Sequence, residues 1–458
     1  MNTGLTLVED IAAETVGMRH DRLPDEVRVK ARQCLLDQLG VQLRGATLPQ
    51  VQPVLELVRQ SGGDAQATVA WHGLRTSMAN TALVNGTFGH SCEYDDSHYD
   101  CGHPGVCVIP AALAVAESRR ASGAELLTAV VAGYQAMARV VGPIHRATLD
   151  IGWHGTKVGG VFGAAAATAR LLGLDARQCA HALSIAASDA SGTMEYDQSG
   201  GEVKRVHAGL AARAGLQAAQ LAALGLTGPR AILEGRRGIH RLFGGSAETP
   251  SGDFRNRDFH ILDTIFKLYP SVGTTHAAIH ALSTLRQRHG LDSTMVDRID
   301  VGLADWAIPH GAAISRPEDS LGAQFSLSFS LALCLHRGTN ALQDYLDPRC
   351  WTDPALLAVA VKVHPHAVSL EKGATQLGAI VTVTLRDGRS FEHFQRDMPG
   401  SPGAPATDDQ LLAKFRSLVD GMLDGERAGR LVAAVDDIES LPDVSMLTGL
   451  MCRNPEEE

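Results

Sequence analysis

The densest group of ionisable side chains in the sequence lies in residues 90–105, which read HSCEYDDSHYDCGHPG. These sixteen residues hold three histidines and four acidic side chains. Packed cores rarely contain such a mixture, because an unpaired charge loses its hydration when it is buried. Histidine exchanges a proton near neutral pH, and the stretch therefore indicates general acid–base catalysis. His103 stands just before a helix expected after Pro104, where the helix dipole favours an anion.

Two other interpretations of this stretch are open. The acids could belong to a solvated loop whose aspartates cap helices. Alternatively, Asp95, His98 and His103 could bind a metal ion and make the protein a metal-dependent hydrolase. No HExxH motif and no facial-triad spacing accompanies these three residues, so the metal interpretation has little specific support.

Three further stretches combine histidines or cations with glycine or with a helix start. They are GWHGTKVGGVFG at 152–163, GGEVKRVHAGLAAR at 200–213 and FKLYPSVGTTHAAIHAL at 266–282. Glycine lets the backbone approach a ligand closely, and clustered cations can hold a carboxylate. Each stretch also has a plain structural explanation: a structural histidine, a basic helix start or a surface loop. The side chains of interest are His154, Lys157, Lys204, Arg205, His207, Lys267, Tyr269 and His276.

Together the four stretches supply what proton removal beside a carboxylate requires. Cations bind the acid groups of the substrate and stabilise the enolate-like charge, while a histidine takes or returns the proton. The sequence contains no GxSxG motif, no P-loop and no GxGxxG motif in a Rossmann context. It therefore gives no specific support to nucleophilic, nucleotide or dinucleotide chemistry.

The elements that must position these groups change character along the chain. Through residue 265, apolar residues recur at helical spacing among many alanines and glycines, which predicts a tightly packed all-α domain. Residues 266–407 contain alternating β-branched stretches and a hairpin with its turn at Asp387–Gly388. They predict a smaller α+β domain with an antiparallel sheet. Residues 408–458 return to amphipathic helices, so we assign them with 1–265 to the all-α domain.

Composition limits the expected partners and compartment. The chain has 458 residues and a net charge of -10 without a basic stripe, so nucleic acid is not an expected partner. Its eight cysteines form no CxxC pair, which fits a reducing cytoplasm. We expect neither a signal peptide nor a membrane span, because the alanine-rich stretches are interrupted before the roughly 20 apolar residues that a span needs.

The four stretches, in this order, resemble the MmgE/PrpD family, and the resemblance runs from about residue 5 to about residue 450. This family includes 2-methylcitrate dehydratase, cis-aconitate decarboxylase and iminodisuccinate epimerase. The resemblance implies a large all-α domain with a smaller α+β domain, a homodimer, and an active site between the domains. It also implies proton chemistry on small di- and tricarboxylates with no cofactor and no metal.

Matching the motifs one residue at a time implies individual roles. The implied catalytic residues are Glu93, Ser97, His103 and His154. The implied substrate-binding residues are Lys204 and Lys267, and we add Tyr269, Lys157 and His207 from the same stretches. The decarboxylase branch has a further histidine where this chain has Val272. Because valine cannot transfer a proton, this departure argues against decarboxylation.

We therefore predict a hydro-lyase, that is, a dehydratase or hydratase acting on a methylcitrate-like polycarboxylate or hydroxy acid. An epimerase of a dicarboxylate such as iminodisuccinate is the alternative within the same chemistry, because it needs only proton removal and return. A protein that binds a carboxylate without converting it is a further alternative, supported only by Val272.

Overall fold

The computed structural model describes residues 4–199, 201–245, 259–370 and 377–453. Contacts within the chain divide it into two units. The first consists of Met1–Thr264 together with Asp408–Glu458, and the second of Ile265–Thr407.

The first unit is helical. Its helices before residue 264 are α1 Leu7–Gly17, α2 Asp25–Gly45, α3 Gln52–Ser61, α4 Met78–Gly89, α5 Gly105–Arg119, α6 Gly123–Val141, α7 His145–Ile151, α8 Gly155–Leu172, α9 Ala176–Ala186, α10 Tyr196–Ser199, α11 Val203–Ala223 and α12 Ile239–Gly244. A short antiparallel pair, β1 Ala67–Thr68 and β2 Arg75–Thr76, lies between α3 and α4. Ser77 caps α4 by accepting a hydrogen bond from the backbone N–H of Asn80, which supports the start of the helix.

Glycine brings the site-bearing helices into direct contact. A Cβ atom on Gly209 of α11 would lie 2.0 Å from the carbonyl oxygen of Leu83 in α4. A Cβ atom on Gly215, two turns further along α11, would lie 2.3 Å from the carbonyl oxygen of Val161 in α8. Because a larger residue at either place would push the helices apart, these glycines hold the start of α11 beside the loop that follows α4.

One helical run among the described residues, Gly123–Ile151, is long and apolar enough to cross a membrane. Its most apolar window is 89% buried inside the protein, which is typical of a core helix. Length and composition alone are therefore weak support for a membrane span here.

The second unit combines helices with a sheet. Its helices are α13 His276–His289, α14 Ala307–Gly311, α15 Ser320–Gln324, α16 Leu327–Ala332, α17 Leu342–Leu346, α18 Pro348–Trp351 and α19 Pro354–Ala360. Its strands are β3 Val296–Leu303, β4 Val363–Ala367, β5 Ala379–Leu385 and β6 Ser390–Gln395, in the order β4-β3-β5-β6. The chain then returns to the first unit with α20 Asp408–Val419, α21 Gly425–Asp436 and α22 Ser445–Leu450.

The predicted fold class, a large helical domain with a smaller sheet-containing one, is confirmed. The β5–β6 hairpin turns at Asp387–Gly388, where Gly388 has a φ of 88°. Strand β3 pairs with β5 antiparallel but with β4 in parallel, which makes the sheet mixed. The parallel pair arises because helices α14 to α19 form the crossover between β3 and β4, and a parallel pair requires such a long connection.

Candidate active site

The loop between α4 and α5 carries its ionisable side chains into the interior. His90, Glu93, Asp95, Asp96 and His98 are all buried. The interpretation of this stretch as a solvated acidic loop is therefore wrong. The chain makes this inward turn at Glu93, whose φ of 52° and ψ of 29° place a non-glycine residue in the left-handed region. That conformation costs about 1 to 2 kcal/mol, and such costs concentrate at functional sites.

His103 is held by two oxygens at the same ring nitrogen. Its Nδ1 lies 2.7 Å from the backbone carbonyl oxygen of Asp96 and 3.1 Å from Asp95 Oδ2. A carbonyl oxygen accepts hydrogen bonds only, so Nδ1 carries the proton. In the neutral ring the lone pair is then on Nε2, which is the atom that can act as a base. The side chain keeps 15% of its surface exposed, whereas that of Asp95 has none.

Asp95 is shared by two histidines. His90 Nδ1 donates to the same oxygen of Asp95 at 2.9 Å. Burial opposes ionisation of Asp95, but the two adjacent imidazoles outweigh that effect and hold its pKa well below the ordinary value. Burial also lowers the pKa of His90 to about 4, so this ring is neutral near pH 7. The arrangement is a buried carboxylate that orients an accessible histidine, as a general base requires.

Asp96 lies in the loop before α5, and its side chain reaches the start of that helix. Its Oδ1 accepts a hydrogen bond from the backbone N–H of Gly105 at 3.0 Å, and Tyr134 donates its hydroxyl to Oδ2 at 2.5 Å. Burial raises the pKa of Asp96 to about 7. The helix start is therefore occupied by a carboxyl group of the protein itself, which is ionised in about half of the molecules near pH 7. The two hydrogen bonds to its side chain fix Asp96 in place, and its backbone carbonyl oxygen in turn accepts from His103 Nδ1.

A second pair of histidines lies against the first. His154, at the start of α8, faces His207 of α11 with their Nδ1 atoms 3.0 Å apart. One of these nitrogens must carry a proton and the other must accept it. Burial lowers the pKa of both rings, to about 4 for His207. The His154 ring also stacks on His90 at 5.7 Å between ring centroids, so His90 connects the two histidine groups.

The first turn of α11 contributes cations to the same region. The Lys204 ammonium forms a buried ion pair with Glu93. Arg205 donates to the backbone carbonyl of Ser91 and thereby fastens the α4–α5 loop to α11. The Lys157 ammonium donates to the carbonyl oxygen of Asp189 at 2.7 Å, and its role in substrate binding stays a prediction.

The first unit thus brings together most of the predicted site residues that it contains. These are Glu93, His103, His154, Lys204 and His207. Ser97 is half-buried, and no hydrogen bond of its hydroxyl is present within the described parts of the chain. Two contributors were not singled out from the sequence, namely His90 and Tyr134. His90 lies inside the dense stretch, but Tyr134 comes from α6 and has no local signal.

The metal-binding trio does not form. In the described residues, two groups have ligand atoms within 4.8 Å of one another: His90, Asp95 and His103, and His98, His260 and Asp263. The predicted set of Asp95, His98 and His103 is neither of them. His98 turns away because its Nε2 donates to the carbonyl of His260 at 3.1 Å, while its Nδ1 accepts from the N–H of Asp100 at 3.1 Å.

The second unit places the remaining predicted residues in a different setting. Lys267 is fully buried, and the Tyr269 hydroxyl lies 3.4 Å from His280 Nδ1. Val272 is 4% exposed and packs with Leu321 and Phe325 in a small apolar cluster. The histidine that the decarboxylase branch has at this position is therefore replaced here by a packing residue.

Comparison with known proteins identifies the family. Residues 9–251 match the MmgE/PrpD N-terminal domain and residues 269–439 match the MmgE/PrpD C-terminal domain. The chain is 30% identical to a cis-aconitate decarboxylase-like protein, oryM, of Aspergillus oryzae, with 94% of each chain covered. It is 26% identical to cis-aconitate decarboxylase of Homo sapiens, covering 97% of this chain and 94% of the relative. It is 27% identical to cis-aconitate decarboxylase of Aspergillus terreus, covering 94% and 93%. The chain therefore belongs to the MmgE/PrpD family of enzymes.

Proposed function

We propose that this protein is a lyase that moves a proton at the carbon next to a carboxylate of a small polycarboxylate. The observation that carries the proposal is His103, which is held at Nδ1 by Asp95 and by the Asp96 carbonyl and so directs a basic Nε2 away from them. A histidine fixed in one tautomer is suited to abstract a proton or to return it.

Dehydration of a hydroxy acid is the reaction that this arrangement supports best. His103 Nε2 takes the proton from the carbon beside the carboxylate, and the electron pair of that C–H bond becomes the new double bond. The hydroxyl group leaves from the adjacent carbon and needs a proton to depart as water. The imidazolium that His103 becomes can supply that proton, so that the hydroxyl leaves as water and His103 returns to its neutral form. Hydration is the same sequence in reverse.

Lys204 supports this reaction by its charge. An ammonium near the substrate carboxylate stabilises the negative charge that develops on its oxygens. Since Lys204 already contacts Glu93, a bound carboxylate would share this cation with Glu93. Lys267 and Tyr269 of the second unit stay predicted substrate-binding residues, and the homodimer and the cytoplasmic location stay predictions.

Decarboxylation is the second candidate, because several matched relatives carry the name cis-aconitate decarboxylase. In that reaction the carbon–carbon bond to the departing CO2 supplies the electrons of a new double bond, and the old double bond takes up a proton at its far carbon. A protonated His103 can supply that proton. Val272 counts against this candidate, since the chain lacks an imidazole there.

The test offers the purified protein three substrates in deuterated water: cis-aconitate, a hydroxytricarboxylate of the methylcitrate type, and a four-carbon imino dicarboxylate. We expect loss or gain of water, with one deuterium placed beside a carboxylate in the hydration direction. Release of CO2 would identify a decarboxylase, and exchange without loss of either group would identify an epimerase. If no substrate reacts or exchanges, the proposal is wrong. A reaction abolished by a chelator and restored by a divalent ion would contradict the metal-free mechanism.

A further inference from the structure

The inference concerns His90, a side chain that the proposed reaction has not used. We infer that His90 is a positioning residue, which donates from Nδ1 to Asp95 and thereby fixes the carboxylate that orients His103. It rests on the proposed function only in that His103 is taken as the proton-transfer group.

The two ring nitrogens of His90 have different surroundings. Its Nδ1 lies 2.9 Å from Asp95 Oδ2, the same oxygen that lies 3.1 Å from His103 Nδ1. Both rings therefore contact the same oxygen of Asp95. If one ring moves, Asp95 shifts, and the contact of Asp95 with the other ring changes. The Nε2 end of His90 is buried and has no hydrogen-bond partner in the described structure.

Asp95 depends on these donors to an unusual degree. Its side chain is completely buried, and its second oxygen, Oδ1, has no hydrogen-bond partner among the described residues. A buried carboxylate without donors is strongly destabilised. With His90 removed, one neighbouring imidazole would remain to hold the carboxylate, and the carboxylate could then rotate. His103 would lose a fixed partner on its Nδ1 side, although the Asp96 carbonyl would remain at 2.7 Å.

The rings around His90 limit how it can be replaced. Its ring centroid is 5.1 Å from that of His103 and 5.7 Å from that of His154, where the planes are nearly parallel. The side chain is therefore enclosed on both sides, and a small residue leaves space for the neighbours to shift. This crowding makes isosteric amides better probes than alanine alone.

The experiment compares three variants of the full-length protein. In His90→Asn, the amide nitrogen occupies nearly the place of Nδ1 and keeps the donor to Asp95. In His90→Gln, the amide reaches the place of Nε2 and the donor to Asp95 is lost. His90→Ala removes both. Thermal unfolding and far-ultraviolet circular dichroism establish that each variant is folded before its kinetics are read.

We expect His90→Ala and His90→Gln to lower kcat by about 10- to 100-fold, as loss of an outer partner of an active-site histidine does. We expect KM to stay within about threefold, since His90 does not contact substrate. His90→Asn should retain most of the wild-type kcat. Rescue by glutamine instead of asparagine, or no loss in any variant, would overturn the inference.

A second measurement does not depend on turnover. Nitrogen-15 shifts of the histidine rings report which nitrogen carries the proton, and the His103 signals are identified by their absence in His103→Gln. We expect Nδ1–H at His103 in all of these proteins, because the Asp96 carbonyl accepts from Nδ1 in each. The Nδ1 shift should match the wild type in His90→Asn and differ in His90→Gln, where Asp95 is less firmly held. The inference fails if the wild type has Nε2–H. If the shifts behave as expected while no polycarboxylate reacts, the proposed function fails and the positioning role stands.

Discussion

The loop at residues 90–104 and the segment at 266–282 are both largely buried and rich in polar groups. They differ in the hydrogen-bond partners of their polar side chains. In the first, the side chains bond to one another: Lys204 with Glu93, and His90 and His103 with Asp95. In the second, several polar side chains bond within the segment itself: the Ser271 hydroxyl lies 2.9 Å from that of Thr275. His276 Nε2 donates to the carbonyl of Ser271 at 3.1 Å.

This difference indicates that the histidines and acids of the first region carry out the proposed proton transfer, whereas the hydrogen bonds within the second stabilise its structure. A network in which several ionisable side chains share partners allows a proton to be held at a defined atom, and such networks are costly to leave incomplete. Hydrogen bonds from side chains to the backbone of the same loop mainly stabilise the shape of that loop. Val272 lies in the second kind of region, among apolar neighbours. We therefore expect substitution of His103 to affect turnover and substitution of Val272 to affect stability.

The largest effect is expected from His103→Gln. Glutamine can hydrogen-bond but cannot exchange a proton at neutral pH, so general acid–base catalysis is lost. We expect kcat to fall by about 100- to 10,000-fold, measured as turnover of whichever polycarboxylate the wild type converts. The matched control is His289→Gln, an exposed histidine of the second unit that stacks on Phe391, and it should leave kcat unchanged. Near-wild-type turnover in His103→Gln would remove this histidine from the reaction.

The second effect concerns the Lys204–Glu93 pair and appears in stability. Lys204→Met removes the cation that Glu93 contacts and leaves a buried carboxylate, which costs about 3 to 5 kcal/mol. The double variant Glu93→Gln/Lys204→Met removes both charges and should recover a large part of that loss. The measurement is the midpoint of thermal unfolding of the three proteins. A double variant less stable than Lys204→Met would show that Glu93 is held by other groups.

Sequence periodicity was sufficient for the fold class, because amphipathic helices and the Asp387–Gly388 hairpin have local signals. The parallel strand β4 was not predicted. Its sequence, VHPHA, lacks regular apolar alternation and contains Pro365, which a strand tolerates at the edge of a sheet. That is where β4 lies. Its assignment depends on the neighbouring strand β3, and local sequence does not carry that information.

For the candidate site, the sequence identified the types of residue involved but not which of them contact one another. Histidine and acid density identified the stretch that holds His103 and Glu93. The partners of these groups are distant: Lys204 lies 111 residues from Glu93, and His207 lies 53 residues from His154. Such pairs depend on how closely α11 approaches α4 and α8, which glycines set. In the alternative metal site, the sequence interpretation consequently placed His98 beside Asp95 and His103, where the folded loop places His90.

The third effect tests whether burial keeps the histidines of the first unit neutral. Burial lowers the pKa of His145 from 6.5 to about 3, so below pH 6.5 the unfolded chain binds a proton that the folded protein does not. His145 therefore has no effect on the free energy of unfolding well above pH 6.5, and it lowers that free energy progressively as the pH falls from 6.5 toward 3. At pH 5 the loss relative to pH 7 is about 2 kcal/mol. Asp96, with its pKa raised to about 7, acts in the opposite direction between pH 4 and 7, and this contribution is common to all variants.

We therefore expect His145→Gln to lose less stability than the wild type when the pH falls from 7 to 5. The measurement is the unfolding midpoint at several pH values. His366→Gln, at an exposed position on β4 in the second unit, should keep the wild-type pH dependence. Equal slopes for His145→Gln and the wild type would mean that His145 is hydrated in solution.

The smallest effect is expected at Val272, and it distinguishes the two regions most directly. The side chain is 4% exposed and packs with Leu321 and Phe325, so Val272→Ala removes buried apolar surface. This should cost about 1.5 kcal/mol of stability and leave kcat within about threefold, because no reacting group is removed. Val272→Thr, which keeps the shape and replaces one methyl group by a hydroxyl, is the matched control for volume. If Val272→Ala lowers kcat as much as His103→Gln does, Val272 is needed for the reaction itself, and its assignment as a packing residue is wrong.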